Sequence, residues 1–428
     1  MGMWHDQSRT KDYFQILMMH LLNHFAVYTL PVVILYLRDD FTELNYTGTG
    51  ILWTSLVVTN TILSIFTGFY ADSHRDKRYP MIYGSFVIMI LGWFLIPIAN
   101  TYTQLIAVFI FIGIGASGFH PTAFTLITEM FKEDKGKALS YNMAIGLAGN
   151  SVAPLIFAGL VFGFSTYYIA IIISAIIFGA IALGLYLFAR RANTFERIDW
   201  RPEEEQHIQS SNVDIMFLLS PLIIVPLLYS SIRNSFFKTS SLFTSLLYED
   251  YLSLSKEQAA IATAILLGFA SIFIIVGGYI TDNTKPRIAI LISSIGTLIA
   301  AWALVYLNNF TNIMIFSSFF FSLNAFYYIG SPATSALLAN RVRPEQRGKL
   351  YGALFSFGQI LSLGTPIAFG FINDTYGIRS AFQFILVLAA IAFILGIFIY
   401  FEEKSRLSNQ NGEEQEEVYP EMTQEISD

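Results

Sequence analysis

An all-α, polytopic membrane protein of twelve transmembrane helices, arranged as two pseudo-symmetric six-helix bundles, is what this sequence predicts on three observations. The 428-residue chain is 54% hydrophobic and only 13% charged, with 39 Phe and 23 Tyr, far too apolar for an ordinary soluble domain. Apolar runs of roughly the 20 residues that cross a bilayer recur at about 13–37, 48–71, 79–99, 103–128, 138–161, 166–189, 215–247, 257–281, 287–307, 311–339, 349–372 and 379–401. A polar loop also returns in altered form: Gly68-Phe69-Tyr70-Ala71-Asp72-Ser73-His74-Arg75-Asp76-Lys77-Arg78 is echoed by Gly278-Tyr279-Ile280-Thr281-Asp282-Asn283-Thr284-Lys285-Pro286-Arg287. Each copy has a glycine, three residues, an aspartate and then basic residues, and matching places in two halves of one chain indicate an internal duplication.

Taken in order, residues 1–12 form a polar leader, and helix 1 carries His20, Asn23 and His24 at the i, i+3, i+4 spacing of one helical face. That first run is too long and too polar for a cleaved signal sequence. In the repeated loops, Gly68 and Gly278 are expected to allow close helix approach. Asp72 and Asp282 are expected to hydrogen-bond or cap a helix, while Arg75, Arg78 and Arg287 hold the loops at the cytoplasmic face, a set suited to gating conformational change. The loop Lys132 to Lys137 matches Arg343 to Lys349, and Pro121 and Pro154 pair with Pro332 and Pro366 at offsets of 211 and 212. The duplication thus spans whole halves: 1–189, a basic and acidic linker at 190–214, and 215–401. Residues 402–428 are acidic and polar and predict a disordered cytoplasmic tail.

Orientation follows from the basic residues, because short cytoplasmic loops retain Lys and Arg during insertion. Of the 25, only Arg38, Lys256 and Arg379 fall on the opposite side, and Arg233 and Lys238 lie inside an apolar run. Both termini are predicted cytoplasmic, in a multi-pass protein of the cell membrane. The chain has no cysteine, which excludes disulfides, thiolate catalysis and Cys-based metal sites. No nucleophile with its base, phosphate loop or metal-hydrolase pattern occurs, so an enzyme is not expected, nor a cofactor, nor a nucleic-acid partner.

An ionisable group in hydrocarbon costs at least ~2.5 kcal/mol, so each survivor is expected to face a cavity or a partner. The predicted helices hold no Asp or Glu well inside, which leaves His20, His24, His120, Arg233 and Lys238. At 1.5 Å per residue His20 lies about 10 Å deep, and His120, on a helix running the other way, at a similar depth. The three histidines are expected to meet in the cytoplasmic half of the first bundle. Imidazole titrates near neutral pH and is suited to carry a coupling proton; alternatively the three serve only as hydrogen-bond donors between helices. Three histidines also suggest a metal site, but with no nearby carboxylate or thiol, and with His-x3-His the only local ligand spacing, none is expected. Helix 7 has the most polar interior, Tyr229 to Ser241, and Arg233 there is suited to grip a phosphate, phosphonate or carboxylate through two parallel hydrogen bonds. Asn234, Lys238, Asn23, Asn142, Asn150, Asn324, Tyr327, Tyr328 and Gln359 are its expected neighbours around a small anionic solute. The alternative ends helix 7 near Phe236 and lets both bases snorkel outward. Gly146 and Gly149 are expected to be helix contacts, and the four prolines kinks.

Two similar halves with this loop pair resemble the major facilitator superfamily over nearly the whole chain. Within it, His20-Leu21-Leu22-Asn23, Gly118-Phe119-His120-Pro121, and Ser140 through Gly146 with Gly149 and Pro154 resemble the fosmidomycin-resistance transporters. The resemblance implies a secondary transporter that expels small anionic compounds in exchange for protons, and a monomer is expected. Departures accompany it: His24 and Thr122 stand where that branch has carboxylates, Arg75 and Ala153 where glycines are usual. The missing carboxylates favour an organic-anion uptake carrier or uniporter as the second expectation, and a non-transporting membrane sensor is the third.

Overall fold

The computed structural model describes residues 7–131, 135–164, 166–196, 220–307, 311–341, 358–360 and 362–418. Helix α1 (Gln7–Tyr28) runs into α2 (Leu30–Leu37) across Thr29 alone. Pro31 sits in the first turn of α2, where its missing N–H costs nothing, and the Thr29 hydroxyl returns to Phe25 O at 2.8 Å. The first predicted span is therefore one interrupted crossing. There follow α3 (Tyr46–Ser73), α4 (Arg78–Leu95), α5 (Tyr102–Ala116), α6 (Phe119–Met130), α7 (Lys135–Phe164) and α8 (Tyr167–Arg191). The second half contributes α9 (Pro221–Leu252), α10 (Lys256–Asn283), α11 (Pro286–Tyr306), α12 (Ile313–Ala339), α13 (Thr365–Tyr376) and α14 (Ile378–Val418).

Side chains set several starts: Asn45 accepts from Gly48 N, Thr101 from Gln104 N, and Asn312 from Met314 and Ile315 N, while Ser255 and Gln258 form a capping box. Pro154 and Pro332 lie inside α7 and α12, as expected of kinks. Pro121 and Pro366 instead sit in the first turns of α6 and α13, after breaks in the helical run. Among the described residues, ten helical stretches are long and apolar enough to cross a membrane. Helix α9 is long enough but is excluded by its hydroxyl and basic content, and α13 has 12 residues. The linker beyond Glu196 and the loops 132–134 and 343–349 lie outside the described residues. Thr194, at the linker's start, folds back on α1, accepting from Gln15 and donating to Asp12.

Within the first half, α1 packs on α7, and α4 on α5 and α8; in the second, α12 packs on α10 and α11, and α14 on α9, α11 and α13. The halves meet mainly through α3 with α13 and α7 with α10. The repeated loop makes α3 the counterpart of α10, and the paired prolines make α7 the counterpart of α13, so the duplication exchanges these two contacts. One expectation is corrected by the packing. A Cβ on Gly68 would make only ordinary contact with Pro121 and one on Gly278 would meet open space, whereas on Gly277 it would lie 2.2 Å from Ile329 O. The close approach belongs to the residue before the motif glycine, because that position faces α12. Helix α14 continues to Val418, and Arg341 pairs with Glu402 and Glu403 near the end of its apolar run; residues 419–428 of the expected tail lie outside the described residues.

Candidate functional site

At the end of the molecule where α1 begins and α8 finishes, Arg78 is buried and forks onto Glu129 at 2.7 and 3.2 Å, with Ala71 O at 2.9 Å. The buried pair is bidentate and further hydrogen-bonded, which is what offsets desolvation of its two charges. Asp72 and Asp282 are exposed, while Arg75 and Arg287 are half-buried. The Arg287 guanidinium lies over the Tyr400 ring.

At the opposite end the two halves are bolted together. Asp374, on α13, accepts from Tyr46 N, Thr47 N and the Thr47 hydroxyl at 3.2, 2.7 and 2.6 Å, a carboxylate at the positive N-terminus of α3. Arg38 reaches Asp250 at 3.0 Å and Glu249 at 3.4 Å, and Lys256 reaches Asp39 at 2.5 Å. Two of the three basic residues that broke the charge rule are thus occupied in joining the halves. Backbones meet there: a Cβ on Gly50 would lie 2.7 Å from Pro366 O, and one on Gly370 2.4 Å from Tyr46 O.

Between these ends lies a polar layer shared by both halves. On the first half, Gly146 and Gly149 let α7 seat against α1: a Cβ on Gly146 would lie 2.7 Å from His20 Nε2, and one on Gly149 2.7 Å from Leu21 O. The His20, His24 and His120 rings are brought together as expected, their centroids 4.5, 5.1 and 5.8 Å apart. His24 Nδ1 lies 2.6 Å from Asn150 Oδ1, and His24 Nε2 3.0 Å from His20 Nε2. An amide oxygen only accepts, so His24 carries a proton on Nδ1; in the neutral ring Nε2 is then bare and accepts from His20 Nε2–H. His20 Nδ1 and both amide atoms of Asn142 are buried without a hydrogen-bond partner, although Asn142 lies beside the His20 ring.

On the second half, Lys238 donates to Gln359 Oε1 and lies within electrostatic range of His24 and His120 across the interface. Asn234, one turn before Lys238, donates to Gly358 O at 2.6 Å and accepts from the Tyr327 hydroxyl at 3.3 Å. Tyr327 stacks flat on Phe237 at 4.0 Å, and Tyr328 lies within electrostatic range of Tyr28 and beside Asn150.

Three expected members take other places. Asn23 is buried against Met89 Sδ on α4, and Asn324 is satisfied by Phe320 O and the Ser240 hydroxyl. Arg233 is set one layer back in the second half: only 2% exposed, it bonds the carbonyls of Phe326 and Tyr327 and lies between the rings of Tyr229 and Tyr327 at 5.1 and 5.3 Å. A Cβ on Gly330 would fall 2.3 Å from Arg233 Nη1. Gly330→Ala is therefore expected to destabilise the protein by about 1–3 kcal/mol, read as a lower Tm in detergent; an unchanged Tm would put the guanidinium elsewhere. Tyr28 was missed from sequence, although it continues the His20, His24 series at i+4.

The Major Facilitator Superfamily model matches residues 16–362 and 228–424. The chain is 22% identical over 382 residues to the uncharacterised MFS-type transporter YfnC of Bacillus subtilis (strain 168), covering 88% of this chain and 90% of that protein. Its fold is similar to the inward-facing, unoccupied crystal structure of a bacterial homologue of the human lysosomal transporter Spinster, with a TM-score of 0.74 at 15% identity, covering 92% of this chain and 97% of that one. It is also similar to a point mutant of the nucleoside transporter NupG, with a TM-score of 0.70 at 13% identity, covering 91% and 100%. A family model matched along most of the chain, on an all-helical multi-pass fold, makes this protein a transporter belonging to the Major Facilitator Superfamily and not an enzyme.

Proposed function

We propose that this transporter moves a small organic anion by proton-linked alternating access, in the direction of efflux, as a monomer of twelve spans in two six-helix halves, in the cell membrane with both termini cytoplasmic. One observation carries the proposal: Lys238 sits in the layer between the halves with a neutral amide as its hydrogen-bond partner, and among the described residues no carboxylate pairs with it or with Arg233. A half-buried ammonium with no counter-charge inside a membrane helix is costly, and a carboxylate, phosphate or phosphonate would supply the missing charge. Asn234, Gln359, Tyr327 and Tyr328 add neutral hydrogen-bonding groups around it. Arg233 contributes positive potential from behind the Tyr327 ring. With the termini in the cytoplasm, the bolted end is the outer one, and the structure corresponds to a state closed to the outside.

The coupling proton is assigned to His24, His20 and His120. A proton taken up there adds positive charge beside Lys238, so anion affinity should rise as pH falls. His24→Asn is expected to keep anion binding and to flatten the pH profile of flux in proteoliposomes; a retained profile would move the proton elsewhere. The repeated loops, with Gly68, Asp72, Arg75, Arg78, Gly278, Asp282 and Arg287, are assigned to conformational exchange. A thermal-shift screen against phosphonates, carboxylates and lipophilic cations tests the substrate class, and stabilisation by cations alone would overturn it. The second reading, a carrier without proton coupling, is favoured by the hydrogen bonds that already engage His20 and His24 as neutral rings.

A further inference from the structure

We infer that His20, His24 and His120 form a binding site for a divalent transition-metal ion inside the first half of the transporter. Helical spacing offered only two ligands; the third comes from α6, and the ligand atoms of all three lie within 4.8 Å of one another. The Nε2 atoms of His20 and His24 are 3.0 Å apart, against roughly 3.3 Å between nitrogens bound at 2.0–2.1 Å in a tetrahedral zinc site. Opening that pair by a few tenths of an ångström and drawing His120 inward is enough to build the site.

The groups behind the rings suit the same role. Metal-bound histidines carry their proton on the far nitrogen, donated to an oxygen that fixes tautomer and orientation. His24 already does so through Asn150 at 2.6 Å. His20 holds its proton on Nε2, between the two rings, and its Nδ1 is unpartnered. An ion binding there requires that proton to leave Nε2 and one to be carried on Nδ1, an exchange through solvent that leaves the imidazole neutral. Asn142, fully buried beside His20 with its oxygen unpartnered, can receive it. Two asparagines of α7 thus back two histidines of α1. Gly146 and Gly149 clear the space, since a Cβ at either would press on the histidine-bearing helix within 3 Å. A nitrogen ligand set with no thiol or carboxylate suits Zn2+, Ni2+, Cu2+ or Co2+ rather than Mg2+ or Ca2+.

Lys238 opposes the ion by like charge, and it belongs to the other half. Occupancy therefore favours arrangements that withdraw Lys238, and the ion acts as an inhibitor of exchange between states. The site does not depend on the anion reading: loss of anion binding would leave it standing.

The test is a Co2+ titration of the purified full-length protein, with any polyhistidine tag removed, followed by visible absorption and displacement by Zn2+. A saturable ligand-field band from a single ion per chain is expected, lost in His24→Gln and in His120→Gln and kept in His74→Gln, whose ring is exposed in a loop. Lys238→Met should tighten Co2+ binding about tenfold by removing the opposing charge. No band, or a band that survives His24→Gln or His120→Gln, overturns the proposal. If those variants do not fold, the lysine variant decides, because unchanged affinity there places the ion away from the interface.

Discussion

Lys238→Gln is expected to abolish concentrative transport and to weaken anion binding about a hundredfold, within the range of 2–5 kcal/mol lost when one member of a buried, hydrogen-bonded charge pair is removed. The substitution keeps a side chain that can hydrogen-bond to Gln359, so the loss reports charge rather than packing. Arg233→Gln should behave differently. That guanidinium is already bound by the Phe326 and Tyr327 carbonyls, and its removal should lower Tm as well as affinity. Equilibrium binding and proteoliposome flux on the same preparations separate the two, and full activity in Lys238→Gln would remove the amine from the substrate site.

Gly370→Val should have the second large effect, on conformation rather than on binding. The first added carbon alone falls 2.4 Å from Tyr46 O, and overpacking of this kind costs the closed far end about 3 kcal/mol, roughly a hundredfold in population. The halves would be held apart where Asp374 and Arg38 now join them. The chain has no native cysteine, so one introduced thiol reports without background. Ser245→Cys is well placed, being buried between the halves with its hydroxyl 3.4 Å from Pro31 O. It should resist a membrane-impermeant thiol reagent in the parent and react in Gly370→Val. Equal protection in both would show that this seam is not a gate.

Much of the site was legible, and its failures share a cause. His20 and His24 are one turn apart, and a buried charge in hydrocarbon announces itself by its cost, so the histidines and Lys238 stood out. Helix rotation was not legible. Arg233 and Lys238 are five residues apart, about 140° around a helix of 3.6 residues per turn, and cannot both face one chamber; Asn234, at i−4 from Lys238, is the residue that shares its face. Asn23 shared a face with His20 by spacing, yet it lies at the edge that meets α4. Asn150 was visible as a polar residue, but its bond to His24, and the tautomer that follows, joins positions 126 residues apart.

By itself the sequence determined the membrane class, the duplication and the list of ionisable groups inside the helices. Lipid offers backbone amides no partners, so each crossing must satisfy its own, and apolar length alone marks where it runs. Only the tertiary structure decided which face of each helix looks into the layer between the halves. That choice is made by small residues on neighbouring helices, Gly146 under His20, Gly277 against Ile329 and Gly330 beneath Arg233, because a helix turns toward whichever neighbour can approach it most closely.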